Sequence, residues 1–358
     1  MTLFSPGPVA CGVRNVTADL SGFEAELAQR GDSYIDLLRK HPLVFISLAR
    51  QAQSELIARA FEMANAGKLD IVHVYTNEED VALPFSRLCR KPIVFTHHDP
   101  FSFLVKYRHV FPKYADLNWI SLSMSQRRGM PNDTNWVANI PHGLDASMYH
   151  EMHEPAGDYL AYLGRIVEPK GVHLAIAAVR AYNASGKGKY VLKIAGKHYS
   201  GEKDGYWQKQ VRPEIDGKEI VYEGFIDSAR EKQEFIGNAA ALMVPSTFDE
   251  PFGMVMVEAL ACGTPVVGLA SGAVPEVTDD GQTGVLARKS MRSVVDARTG
   301  RERLEVDEAA TVAALTEAIG KLGGIKRSSC RRAFETHFTA RRMCQDHLEL
   351  YRRLITES

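Results

Sequence analysis

Eight short apolar runs, rich in β-branched residues and separated by stretches of helical periodicity, constrain the fold more than any other feature. They are "DIVHVY" (70–75), "PIVFTHH" (92–98), "NWISLS" (118–123), "YLAYLGR" (159–165), "YVLKIAG" (190–196), "IVYEGF" (220–225), "AALMVPS" (240–246) and "PVVGLA" (265–270). Their apolar character is continuous rather than alternating, as in strands covered on both faces. Strands of that kind, alternating with helices, belong to parallel sheets, so the expected fold class is α/β.

A chain of 358 residues exceeds one ordinary core and is expected to form two domains. A polar break at "HEMHEPAGD" (150–158) marks the linker. The expected division is 1–152 and 156–336, with 338–358 returning to complete the first domain. In that last segment Met343, His347, Leu350, Tyr351 and Leu354 fall on one helical stripe, which gives the segment a face to dock. An Arg-rich insertion (287–306) contains "DARTG", read as a hairpin turn on a solvated element.

With a formal net charge of -1 the chain is not expected to have a nucleic-acid partner. Its five cysteines are scattered without a CxxC pair, which suggests reduced thiols and no zinc. There is no long apolar span and no secretory leader pattern at "MTLFSPGPVACG", so a cytoplasmic location is expected. Membrane-surface association is open only at "FSFLVKYRHVFPKY" (101–114), whose ordinary reading is a partly exposed helix or loop. The sequence leaves oligomeric state open.

In a parallel sheet the ligand site lies beyond the carboxyl ends of the strands, so the loops after the runs above carry the chemistry. After "YLAYLG" stand Arg165 and Lys170, two cations leading to Gly171 at a helix start, a pattern suited to a diphosphate and otherwise a pair of solvated charges. After "AALMVPS" comes "TFDEPFGMVMVEALACG". With a helix beginning near Gly253, Glu250 precedes it and the amides of Phe252, Gly253 and Met254 are left as donors. Glu258 lies inside the apolar helix, where a carboxylate needs a hydroxyl or a cation as partner. After "PIVF" comes "THHDP", with His98 read as a polar contact to a sugar or phosphate and no metal-ligand spacing around it. After "PVVGLA", Glu276 in "SGAVPEV" stands at a helix start, with capping as the ordinary reading.

Taken together, these motifs resemble the family 4 (group 1) retaining glycosyltransferases of the GT-B fold. The resemblance runs through "YLGRIVEPKGVHLAI", "KIAGKHY", "VYEGFID", "AALMVPSTFDEPFGMVMVEALACGTPVV", "SGAVPEV" and "DGQTGVL", and covers about residues 70–356. It implies two Rossmann-like domains facing a central cleft and transfer of a hexose from a nucleotide-diphosphate sugar, of the UDP or GDP type, to a hydroxyl acceptor with retention. It also implies no metal and no cofactor. By this resemblance Arg165 and Lys170 hold the diphosphate, Glu250 the sugar hydroxyls and Glu258 the ribose. The amides of Phe252, Gly253 and Met254 meet sugar and phosphate, Gly196, Gly224 and Phe225 flank the donor, and His98 lies near the transferred sugar. The nucleotide, the hexose and the acceptor are not legible.

The family usually opens with a strand, a Gly-Gly loop and a helix before a second strand, and "MTLFSPG" looks like that second strand. The favoured reading therefore lacks the first strand and glycine loop. The other makes "MTLFSP" the first strand and "CGVRNVTADL" (11–20) a degenerate loop and helix. A short first domain keeps open a catalytically weak nucleotide-sugar binder or partner subunit, and the shared fold keeps open a GT-B sugar-nucleotide epimerase, which would need acid/base carboxylates.

Overall fold

The computed structural model describes residues 1–358 except 76–78, 102, 156, 199–204, 297 and 299, and leaves the side chains of Glu79 and Lys106 undescribed. Parts of "KIAGKHY", "HEMHEPAGD", "FSFLVKYRHVFPKY" and "DARTG" therefore lie outside the described residues. The chain divides into two compact units: Met1–Ile120, Gly129–Ala138 and Leu348–Ser358 form the first, and Ser121–Arg128 with Asn139–His347 the second.

The first unit opens with strands β1 (Thr2–Ser5) and β2 (Arg14–Thr17), which pair in parallel. Residues 14–17 are thus a strand, and the degenerate helix read into 11–20 is not formed there; helix α1 (Ser21–Arg30) begins only afterwards. Val16 and Thr17 are β-branched, which favours pairing beside β1 over a helix. Helices α2 (Tyr34–Lys40) and α3 (Pro42–Asn65) follow. Ser33 and Asp36 close a capping box on α2, and Pro42 occupies the first turn of α3. Strands β3 (Val72–Tyr75), β4 (Ile93–Thr96), β5 (Asn118–Ser121) and β6 (Trp136–Asn139) form one sheet in that order, with helices α4 (Glu79–Ser86) and α5 (Val105–Val110) between them. Its core gathers Phe61, Phe95, Phe101, Phe111 and Trp119.

The second unit is a six-stranded sheet. Its strands are β7 (Tyr159–Leu163), β8 (Val191–Ala195), β9 (Ile220–Gly224), β10 (Ala241–Val244), β11 (Val266–Leu269) and β12 (Gly284–Ala287). They lie in the order β12-β11-β10-β7-β8-β9, every pair parallel. The continuous apolar runs are explained by cover on both faces. Helix α6 (Val172–Ala184) packs in one core cluster, while α7 (Ala229–Gly237), α8 (Met254–Ala261) and the short α9 (Val274–Val277) contribute to another. Strands β13 (Met291–Val295) and β14 (Glu302–Val306) make an antiparallel hairpin, mostly exposed, where the Arg-rich insertion was read as solvated. Helices α10 (Glu308–Ile319), α11 (Arg327–His337) and α12 (Ala340–Thr356) complete the chain. On α12 the expected stripe buries Leu350 and Leu354, and within the first unit the Tyr351 hydroxyl lies 2.6 Å from His73 Nδ1.

The fold is α/β with parallel sheets, the class expected from the sequence. In the second unit the direction of winding reverses at β7 and β10: β8 and β9 extend to one side, β11 and β12 to the other. At such a reversal the two strand-end loops diverge and leave room for a ligand. These are the loops that carry Lys170 and Glu250.

Candidate functional site

Two loops are tied together at that reversal. The turn Glu168–Lys170 after β7 ends on Gly171, whose φ of 71° is left-handed. A Cβ there would stand 2.0 Å from the Pro245 carbonyl oxygen of the loop after β10, so only glycine allows this approach. The amides of Thr247 and Phe248 both donate to the Pro169 carbonyl, at 3.0 and 3.2 Å. The backbone thus sets Lys170 against Glu250, and its ammonium donates to Glu250 Oε1. Glu250 is buried and Lys170 half-buried, and the Lys170 ammonium also lies 5.6 Å from the centre of the Phe248 ring.

Gly253 caps α8 in a left-handed conformation, and the helix starts at Met254 as the sequence suggested. The amides of Phe252, Gly253 and Met254 have no acceptor among the described residues. Phe252 is core, its ring edge-on to His142 at 5.2 Å, so its side chain is committed to packing. Arg165 is exposed and makes no ion pair among the described residues. Free N–H groups at a helix start, one uncommitted guanidinium and one ammonium form a set of donors suited to a diphosphate.

Glu258, one and a half turns into α8, is buried, and its Oε1 accepts from the Tyr149 hydroxyl at 2.9 Å and from Lys232 Nζ at 3.3 Å. Burial, and then the Glu258 charge, push the Tyr149 phenol well above its ordinary pKa, so it stays a donor. The carboxylate that looked costly in an apolar helix therefore has a hydroxyl and a cation.

Gly196 and Gly224 stand where the loops after β8 and β9 meet, Gly196 N donating to Gly224 O at 2.8 Å. A Cβ on Gly196 would fall 1.7 Å from the Gly164 carbonyl oxygen, so this glycine serves close approach of strand ends. Phe225 is half-exposed beside Lys197, whose ammonium lies 3.8 Å from the ring centre.

Sequence reasoning missed the braces of these loops. Asp249, next to Glu250, accepts from Ser271 Oγ at 2.6 Å and pairs with Lys289 at 3.4 Å and Arg128 at 3.7 Å. Burial raises its pKa, but the Ser271 hydrogen bond and the Lys289 charge outweigh that and hold it below the ordinary carboxylate value. Lys289 belongs to the Arg-rich insertion, so the start of that insertion supports the site loop. Glu276 accepts from the amides of Met124 and Ser125, both at 2.7 Å, and Ser123 Oγ donates to the Pro251 carbonyl at 2.7 Å. Glu276 is a cap, as its ordinary reading held, but of the turn Ser125–Arg127 rather than of its own helix. Tyr149 and Lys232 carried no spacing signal, because they reach Glu258 from distant segments.

In the first unit His97 is buried among the rings of Phe101, Tyr107 and Phe111, whereas His98 is half-buried with the Tyr75 ring 4.4 Å away. Burial, then the neighbouring His97, lower His98 to about 4, against a smaller opposing pull from Asp99, so its imidazole is neutral near pH 7. Among the described residues no three His, Cys, Asp or Glu side chains gather as a metal-holding group, and no helix is long and apolar enough to cross a membrane.

Residues 152–298 match the family described as glycosyl transferases group 1. A glycogen synthase of Mycobacterium tuberculosis is 34% identical over 164 residues, 41% of this chain and 38% of its own length. The chain thus spans about two fifths of that relative. Among solved structures, a sucrose-phosphate synthase from Thermosynechococcus elongatus superposes with a TM-score of 0.69 at 16% identity, covering 100% of this chain and 89% of its own. The Anabaena protein HepE, in complex with UDP and glucose, does so with a TM-score of 0.64 at 18% identity over 97% of this chain and 98% of its own. Identities this low establish the fold alone.

Proposed function

We propose that this protein is a retaining glycosyltransferase that moves a hexose from a nucleotide-diphosphate sugar, of the UDP or GDP type, to a hydroxyl acceptor. The observation that carries this reading is the Lys170–Glu250 pair set beside the free amides of Phe252, Gly253 and Met254 at the sheet's reversal point. A cation, unpaired amides and a carboxylate on one pair of loops are groups suited to phosphate and to hydroxyls, and this supports the reading. The match to glycosyl transferases group 1 over this same segment supports it.

On this reading Arg165, Lys170 and the α8 amides hold the diphosphate, Glu250 accepts hydrogen bonds from the hexose, and Glu258 accepts one from the ribose. His98, neutral near pH 7, contacts the transferred sugar. The bond between the anomeric carbon and the phosphate oxygen breaks with its electron pair passing to the diphosphate. The acceptor oxygen bonds to the same face of the anomeric carbon, and its proton goes to the departing phosphate oxygen. Lys170, Arg165 and the helix start stabilise the charge that develops there, which is where preorganised donors lower a barrier most. No side chain is assigned as a general base, and neither a metal nor a cofactor is assigned a part.

The test incubates the protein with UDP- and GDP-hexoses, with and without a panel of hydroxyl acceptors, following free nucleotide and the product's anomeric signal by NMR. Acceptor-dependent nucleotide release with retained configuration supports the proposal. A changed sugar on an intact donor would mean an epimerase, and binding without turnover a nucleotide-sugar binder; either overturns it.

A further inference from the structure

We propose that Lys232, near the start of α7, reads the vicinal diol of the nucleotide's ribose together with Glu258. The inference rests on the reading of the second unit as a nucleotide-sugar site. Its basis is the asymmetry of the Glu258 carboxylate. Oε1 already accepts from two donors, the Tyr149 hydroxyl at 2.9 Å and Lys232 Nζ at 3.3 Å. Oε2 accepts from no group among the described residues.

A ribose brought to Glu258 meets one unfilled acceptor, Oε2. The second hydroxyl of the diol cannot share Oε1 with a phenol and an ammonium that already fill it. It lies beside the ammonium instead, and there its oxygen accepts while its neighbour donates to the carboxylate. An ammonium has three donors and Lys232 uses one of them on Glu258. The Lys232 side chain keeps 29% of its surface exposed, against 11% for Glu258, so it is the open side of the pair. Tyr149 is 2% exposed and can only hold the carboxylate in place.

The alternative role for Lys232 is neutralising a buried carboxylate, and the two make different demands on the ligand. A neutraliser supports every nucleotide alike, whereas a diol reader distinguishes ribose from deoxyribose. The experiment measures dissociation constants for the preferred nucleoside diphosphate and its 2′-deoxy and 3′-deoxy analogues, with wild type, Lys232→Met and Lys232→Gln, each variant's melting temperature serving as the check on folding. Wild type should favour the ribonucleotide over at least one deoxy analogue by roughly 10-fold or more, because the carboxylate or the ammonium loses its hydroxyl partner. In Lys232→Met that preference should collapse to within about 3-fold, chiefly through weaker ribonucleotide binding. An unchanged preference, with both ligands weakened equally or not at all, would assign Lys232 to neutralisation and overturn the proposal. Absence of nucleotide binding by wild type would overturn the underlying reading itself.

Discussion

The two units place their strand-end chemistry differently. In the second, the loops after β7 and β10 are locked to each other by backbone contact at Gly171, and the charged residues on them meet partners from loops far apart in sequence. In the first, the loop after β4 sets one histidine among aromatic rings and leaves its neighbour half-buried and neutral. On the proposed reading the second unit holds phosphate and hydroxyls, which need donors fixed against charge, and its locked loops provide that. The single polar contact proposed for His98 asks only for a half-buried, neutral imidazole.

If the second unit is the rigid one, its largest response should come from the backbone. Gly171→Ala forces a side chain into the Pro245 carbonyl and into left-handed backbone, the latter alone costing about 1–2 kcal/mol. The melting temperature should fall and nucleotide binding should disappear; unchanged binding by isothermal titration would show that the two loops are not locked. Next comes Lys170→Met, which removes the cation paired with Glu250 and, on the proposed reading, the one that holds the diphosphate. Transfer should drop by about 10²–10³-fold, read as kcat/KM with the proposed donor. Smaller again is Glu258→Ala, expected to weaken nucleotide binding by roughly 10- to 100-fold, the worth of a hydrogen bond to a charged group.

The first unit should answer mainly through pH. His98 has a folded pKa lowered to about 4 from a reference of 6.5. Above 6.5 it is neutral folded and unfolded, and it contributes no slope. Between about 6.5 and 4 the unfolded chain binds the proton and the folded chain does not, so stability falls as pH falls, by at most about 1.4 kcal/mol per pH unit for this one group. His98→Gln should flatten that limb in denaturant titrations run across this range. An identical slope would mean that His98 titrates normally. At the small end, Arg303→Ala on the exposed hairpin should change stability by less than about 0.5 kcal/mol, as loss of an exposed ion pair does.

How legible all this was follows the same divide. The runs "YLAYLGR", "AALMVPS" and "PVVGLA" announced parallel strands because cover on both faces leaves no alternation to hide. The start of α8 at Met254 could be read from glycine before an apolar helix. What could not be read were contacts made across the fold. Tyr149 and Lys232 reach Glu258 from residues with no local pattern, and Lys289 braces Asp249 from an insertion that reads as plain surface charge. The opening segment failed for another reason: Arg14–Thr17 is RNVT, with Val16 its one buried residue, so no apolar run marks the strand and "CGVRNVTADL" is open to a helical reading.

On the proposed reading the loops at the β7–β10 reversal bind a nucleotide diphosphate, and a thermal-shift panel of UDP, GDP and ADP against wild type and Glu258→Ala puts that contact to the test. At a ligand concentration near 100 times Kd, a cognate nucleotide should add about 2.7 kcal/mol to wild-type stability. One nucleotide should therefore raise the wild-type melting temperature and shift the variant far less. No shift with any of the three, or equal shifts in both proteins, would contradict the account.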